Sequence, residues 1–546
     1  MKTGVTLRIL PCRAGTRKTG TSKLRYPPHM NLLVLALACK PSGEAFTLEI
    51  DLQLPPNQLD LFDDVSSVDL IIESDGGTET YPLTGTSAGE RSELIGIDPL
   101  DEATVSIAGY DGGELVAFGR SEVVTQEDGE EGVSILVARV DDFAWVGMEQ
   151  ETALTAVAST GEGSFLLFGG ATGEAVSISD DPVETLDTVW SLPVAPPSGD
   201  LSFETVTTMP PMDEESFDFG TTSAPGRLGH TVTRLSDNRI LLVGGAADYQ
   251  SQGQTSNATW LFDPTTNTYS EGEPLSERRT MHSAVLGPTG LVYIIGGFGS
   301  ADTNMIAPLR EVEIFDPDTL NVSPTTGNPS AGMVGAGAAR LGGDGVLVCG
   351  GLTINNSAQV FHNNACDLIG VSGALSDAAS MPTGLIHPVM TTMGDDAVLV
   401  TGGYIGDVGT AYSQSSRAIA TDEAWIYRDG SWSQAASMKN PRAQHAAVEL
   451  PDGRILVAGG ANEASNYFVY FNPEPLACAE IYDPQSDTWT EVMACSKEDT
   501  EASLPFGMVR PGFDADPNYG VLLAGGHGED GIALNGAAYF IGQPEL

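Results

Sequence analysis

The 546-residue sequence predicts an all-β fold, and three observations carry the prediction. Apolar residues alternate at period two through the first quarter of the chain. A glycine doublet follows a short aliphatic run seven times in the remainder. Turn signals of the Asp-Gly and Asp-Pro kind separate the runs, and no helical periodicity competes with them.

Taken in order, the alternation comes first. It runs through Leu48, Ile50, Leu52 and Leu54, then Val68, Leu70 and Ile72, then Val105 and Ile107, then Val133, Ile135 and Val137. Asp75-Gly76-Gly77, Asp111-Gly112-Gly113 and Asp128-Gly129 punctuate it. Short strands at this spacing predict an antiparallel β-sandwich over 44–140. In pattern it resembles immunoglobulin-like and carboxypeptidase-regulatory-like domains, which implies a stalk or spacer and no chemistry.

The doublets follow Phe165-Leu166-Leu167-Phe168, Leu241-Leu242-Val243, Tyr293-Ile294-Ile295, Leu347-Val348-Cys349, Leu399-Val400-Thr401, Leu456-Val457-Ala458 and Leu522-Leu523-Ala524. Their first glycines, from Gly169 to Gly525, are 75, 52, 54, 52, 57 and 66 residues apart. An Arg-x-x-His element precedes three of them: Arg227 with His230, Arg279 with His282, and Arg442 with His445. An aromatic-Asp-Pro turn follows three, at Phe262-Asp263-Pro264, Phe315-Asp316-Pro317 and Tyr482-Asp483-Pro484. Asp-Pro presets a β-turn, so each unit predicts four short strands.

This unit resembles the kelch repeat, over roughly 140–546. The resemblance implies a β-propeller, one blade per repeat, and hence a seven-bladed kelch-like propeller over 141–546 behind the N-terminal β-sandwich. The first, fourth and seventh copies depart from the motif: Ala336 and Pro511 stand where the His belongs, and His387 of the fifth is one place out of register. After Gly526 the chain has room for only one more strand, around Gly536–Ile541. Segment 142–148, with a Trp145 like Trp489, is therefore expected to supply the missing strand and close the ring, removing an exposed edge.

Charge bounds the partners. Lys and Arg number 25 against 74 Asp and Glu, a net charge of −49. A body this acidic repels phosphate backbones, so nucleic acid is not an expected partner. The basic residues are unevenly placed: seven of them, and no acid, fall in residues 1–29. Then comes Asn31-Leu32-Leu33-Val34-Leu35-Ala36-Leu37-Ala38 before Cys39. A basic stretch, an apolar stretch and small residues before a cut form the layout of an export signal over 1–39. Ala36-Leu37-Ala38-Cys39 resembles the bacterial lipobox, which implies a lipid on Cys39 and a place on the outer membrane or cell surface, with that anchor as the only membrane contact.

Export suits the remaining cysteines of the body. Cys478 with Cys495, and Cys349 with Cys366, are disulfide candidates, a buried free thiol at each being the alternative. His230, His282 and His445 recur at one place per blade, which points to a structural use, with exposure to a central channel as the other reading. Copper oxidases of kelch type need an adjacent Tyr and His, and this chain has no such pair. No catalytic residue, cofactor or metal is expected. Asp514, Asp516 and Asn518 fit a calcium loop poorly and a β-hairpin well. Long segments after the doublets place a binding face on one side of the disc. Tyr467, Phe468, Tyr470 and Phe471 lie in one of them, either to stack on a ligand or to pack on the blade. The expected function is protein or glycan binding by a monomer of unidentified ligand. A carbohydrate-active enzyme of epimerase or oxidase type, using the propeller face, is the alternative.

Overall fold

The computed structural model describes residues 37–38, 50–83, 95–96, 103–121, 133–173, 184–194, 202–212, 226–247, 255–300, 307–330, 334–354, 360–406, 418–464, 474–495, 507–528 and 533–544, apart from 56, 64, 75–76 and 328. Cys39, Tyr467, Phe468, Tyr470 and Phe471 lie outside the described residues. Within them the chain is all-β, and its one helical element is a 3-10 turn at Leu61–Asp63.

The N-terminal strands make a five-stranded antiparallel sheet in the order Gly77–Leu83, Ser67–Ser74, Ala103–Asp111, Glu114–Arg120, Ala138–Arg139. Beside it, Ile50–Gln53 pairs with Val133–Leu136. That pair is parallel where an antiparallel one was expected, because it joins strands some eighty residues apart in sequence rather than two neighbours linked by a hairpin. The alternating residues Leu52, Val68, Leu70, Ile72, Val105, Ile107, Ile135 and Val137 share one buried core. The opposite face is covered as well: Ile71, Ala108 and Phe118 pack with Tyr519, Leu522 and Tyr539 from the C-terminal end of the chain.

Among the described residues from 142 onward the strands form six four-stranded antiparallel sheets, one of four strands with Val360–His362 added at the side, and two small three-stranded sheets, Arg278–Thr280 with Phe298–Ser300 and Ala307–Pro308, and Tyr404–Gly406 with Ala418–Ala420 and Glu463–Ala464. Five of the six span 156–208, 231–271, 283–324, 389–434 and 446–493, and the one with the added strand spans 334–378. The last sheet, Gly512–Asp516, Gly520–Ala524 and Leu534–Ile541, takes its fourth strand from Asp142–Thr152, with Phe143 opposite Phe540 and Trp145 opposite Ala538. First strands of successive sheets are neighbours, and that of the last sheet neighbours that of the first.

Register corrects one sequence alignment. Tyr482 faces Trp489, Tyr427 faces Trp432 and Phe262 faces Tyr269 at the same place in their sheets. In the last sheet that place belongs to Phe540 and Phe143, whose ring centroids are 5.0 Å apart, so Phe143 rather than Trp145 is the counterpart of Trp489. A residue two places along a strand keeps the same face but meets a different partner across the ladder, which sequence likeness alone does not report.

Both cysteine pairs are disulfides. Cys349 and Cys366 lie directly opposite on adjacent strands, 4.2 Å apart at Cα, rather than near a turn. Cys478 and Cys495 flank the hairpin Ala479–Asp483 and Thr488–Met493, 4.7 Å apart. Each closes a span of 17 residues, which in the chain-entropy account stabilises by about 3 kcal/mol.

Candidate functional site

The repeated arginines and histidines are consumed within and between sheets. Arg227, Arg279 and Arg442 are fully buried. Each donates from Nη1 to the carbonyl of the first glycine of its own doublet: Gly244 at 3.2 Å, Gly296 at 3.1 Å and Gly459 at 2.8 Å. Arg279 also pairs with Glu313, and Arg442 Nη2 donates to Glu480 Oε1 at 2.7 Å. His282 Nε2 lies 2.8 Å from Thr231 Oγ1 of the preceding sheet, and His445 Nε2 lies 2.9 Å from Thr401 Oγ1.

The doublet makes room for this cross-connection. A Cβ on Gly244 would lie 2.5 Å from the Arg279 carbonyl oxygen of the next sheet, and φ there is 62°. Only glycine accepts both the left-handed backbone and the approach. The second glycine then donates across: Gly245 N to Arg279 O at 2.9 Å, Gly403 N to Arg442 O at 2.9 Å, and Gly460 N to Met508 O at 2.7 Å. The same bond runs from Gly526 N back to Thr152 O at 3.1 Å, tying the last sheet to the start of the first.

Burial, and then the neighbouring Arg227, push the His230 imidazole down to about 3. Burial and the adjacent arginines hold His282 and His445 well below the ordinary value of 6.5. As pH falls below 6.5 the unfolded chain takes up protons that these rings refuse. Each ring therefore contributes stability present above pH 6.5 and lost on acidification, at about 1.4 kcal/mol per pH unit. Asp514 acts in the opposite sense: burial raises it to about 6, so its contribution grows as pH falls through 6 and offsets part of the loss. Urea midpoints are expected to fall steadily from pH 7 to pH 5; a flat profile would contradict the neutral, buried rings.

One position before the repeat histidines lies a feature the sequence reading missed. Leu154, Gly229, Met281, Gly335, His387, Gln444 and Arg510 all have φ between 52° and 65°. Each stands fifteen residues before the first glycine of its doublet, from 154 and 169 to 510 and 525. Neighbours are joined in places by backbone bonds, Met281 N to Gly229 O at 2.7 Å and Arg510 N to Gln444 O at 3.0 Å. A left-handed backbone at leucine, methionine, histidine, glutamine and arginine is a strained choice.

Six of the seven, all but Gln444, meet at a mouth beside the first strands of their sheets. A cavity of about 250 Å³ there is lined by Leu154, Met281, His387 and Arg510, with His230 and His282 behind them. Arg510 Nη1 lies 3.7 Å from Met281 Sδ, and Arg510 Nη2 lies 3.4 Å from His387 Nε2. Burial, and then Arg510, keep His387 and His527 neutral, which leaves Arg510 as the formal charge among these side chains. The out-of-register His387 thus belongs to the ring of strained positions and not to the histidine column.

Asp514 and Asp516 are engaged by Ser159, whose N donates to Asp514 Oδ2 at 2.7 Å and whose Oγ donates to Asp516 Oδ2 at 2.6 Å. Asn518 N donates to Asp516 Oδ1 at 2.9 Å in the turn of the hairpin. Among the described residues no group of three or more His, Cys, Asp and Glu side chains is placed to hold a metal ion, and no helix is long and apolar enough to cross a membrane.

The Kelch motif family matches residues 441–496, the unit from Arg442 and His445 through Gly459-Gly460 and Trp489 to Cys495. The chain carries kelch repeats. The F-box/kelch-repeat protein SKIP30 of Arabidopsis thaliana is 33% identical over 105 residues, 19% of this chain and 27% of that protein. The tRNA wybutosine-synthesizing protein 4 of Saccharomyces cerevisiae is 29% identical over 161 residues, 28% of this chain and 22% of that one. The chain thus spans about a quarter of the length of these curated relatives. Among solved structures, YjhT is 13% identical, covering 63% of this chain and 98% of its own at a TM-score of 0.43. A fungal alcohol oxidase of the AA5 family, in complex with copper, is 16% identical, covering 73% and 76% at a TM-score of 0.48. In these kelch units the Arg column is spent on holding each unit's own doublet, and the His and doublet columns on joining neighbouring sheets. The column fifteen residues before the doublet, at Met281, His387 and Arg510, is turned to the mouth, and its only signal in sequence is that fixed place.

Proposed function

We propose that the kelch units form a closed seven-bladed propeller that binds a protein or glycan at the mouth formed by Met281, His387 and Arg510. The observation that carries this reading is the set of strained, non-repeating residues at one end of a repeat-built ring: the repeat fixes the scaffold, and the variable column supplies the contacts. The long segments after the doublets leave from this same end, so a ligand there would meet both. On this reading the N-terminal unit is a β-sandwich spacer, and the protein is an exported monomer held at the cell surface by a lipid on Cys39. The two disulfides support an oxidising compartment.

Two measurements test the proposal. A glycan array and a panel of surface proteins, probed with the purified full chain, should yield a ligand whose affinity drops about tenfold or more in Arg510→Ala, as for a central anchor residue. A ligand bound equally well by the variant would place binding elsewhere, and turnover of a glycan hit would favour a carbohydrate-active enzyme. Growth with a clickable fatty acid should label the wild type and not Cys39→Ala; equal labelling or none would overturn the anchor.

A further inference from the structure

A second cavity, of about 640 Å³, lies at the other end of the ring, where the turns between first and second strands approach the N-terminal unit. That volume is in the range of small-molecule sites, about 300–1,000 Å³. Its walls bring together three arginines distant in sequence: Arg120 from the N-terminal unit, Arg234 from the sheet 231–271 and Arg340 from the sheet 334–378. In a chain with 25 basic residues against 74 acidic ones, such a convergence reverses the general balance.

Two acids, Asp516 and Glu449, share the lining with the three arginines, which leaves the wall net positive. Asp516 is buried and accepts from Ser159 Oγ, and Glu449 accepts from Gly394 N at 2.7 Å. The arginines are committed only in part. Arg234 Nη1 reaches Ser159 Oγ at 3.3 Å and Asp516 at 3.4 Å, and Arg340 Nη2 is 3.9 Å from an Asp395 carboxylate that is 97% exposed. Arg120 pairs with Glu73, while its Nε is buried without a partner. A guanidinium carries five donors in a planar fork, and these contacts engage one nitrogen of Arg234 and one of Arg340, which leaves donors on both for an oxyanion.

We propose that this cavity binds a small organic polyanion, bearing carboxylate or phosphate groups, held between Arg234 and Arg340 on the ring and Arg120 on the N-terminal unit. Because the ligand touches both parts, it stabilises their docked arrangement by mass action. It is independent of whatever binds at the Arg510 mouth.

The test uses the full chain, titrated calorimetrically and followed by thermal melting with citrate and, separately, with pyrophosphate. Binding heat and a concentration-dependent rise in melting temperature are expected for at least one of them, weakening as salt is added. A response to citrate alone assigns the carboxylate class, and to pyrophosphate alone the phosphate class. Arg340→Gln and Arg234→Gln should each weaken binding by about tenfold, the loss of a charged hydrogen bond. Arg340 is 42% exposed in its side chain, so its variant is expected to melt like the wild type, and Arg340→Lys should recover part of the affinity. Arg510→Gln, at the opposite mouth, should bind unchanged. The proposal is overturned if neither anion binds at about 10 mM, a level that would detect even millimolar affinity, if Arg340→Gln binds as tightly as the wild type, or if Arg510→Gln weakens binding as much.

Discussion

Replacing Phe143 with alanine is expected to remove about 3–5 kcal/mol of stability, the usual cost of emptying a large aromatic site in a core. Phe143 is fully buried, packs on Phe540 at 5.0 Å, and shares a cluster with Leu456, Ile481, Met508 and Leu523 of the last two sheets. It also sits on the strand that joins the two ends of the repeat region, and Asn57 of the N-terminal unit donates to its carbonyl at 2.9 Å. Trp145, two places along, is half-buried with an indole N–H that has no partner in the protein. Trp145→Ala should therefore cost much less, about 1 kcal/mol, as a mostly surface change does. Urea unfolding of the two variants decides the matter: a larger loss at Trp145 would restore the alignment of that residue with Trp489.

Glu480→Ala should be as damaging, at about 3–5 kcal/mol, because it leaves the guanidinium of Arg442 buried without its counter-charge. Both side chains are inaccessible to solvent, and the carboxylate further accepts from Lys439 N at 2.6 Å and Asn440 N at 3.1 Å. The half-exposed Arg239–Asp237 pair on the surface provides the contrast: Asp237→Ala should cost about 1 kcal/mol or less. Adding Arg442→Met to Glu480→Ala should recover part of the loss by removing the stranded charge. A double-mutant cycle measures that coupling, and simple additivity of the two single losses would refute it.

Much of this was legible in the sequence because it is local. A doublet that must turn left-handed, an Asp-Pro turn and a period-two run are dictated by residues adjacent in the chain, and they recur with the repeat. Hence the strands and the paired face Val68, Leu70 and Ile72 could be read directly, and Cys478 with Cys495 as a candidate bridge against a free thiol at each. His387 and Arg510 could not, since nothing in their own neighbourhoods marks them. Their meaning comes from standing in a column whose members are more than fifty residues apart.

An all-β chain carrying kelch repeats behind a strand-rich N-terminal segment follows from the sequence alone. The tertiary structure decided which residues those units turn to the mouth, that Phe143 completes the last sheet, and that Ile71, Ala108 and Phe118 give the N-terminal sheet a second buried face. The physical reason is the range of the forces. Backbone preference and turn geometry act over a few residues, whereas packing and ion pairing answer to whatever the folded chain brings within a few ångströms.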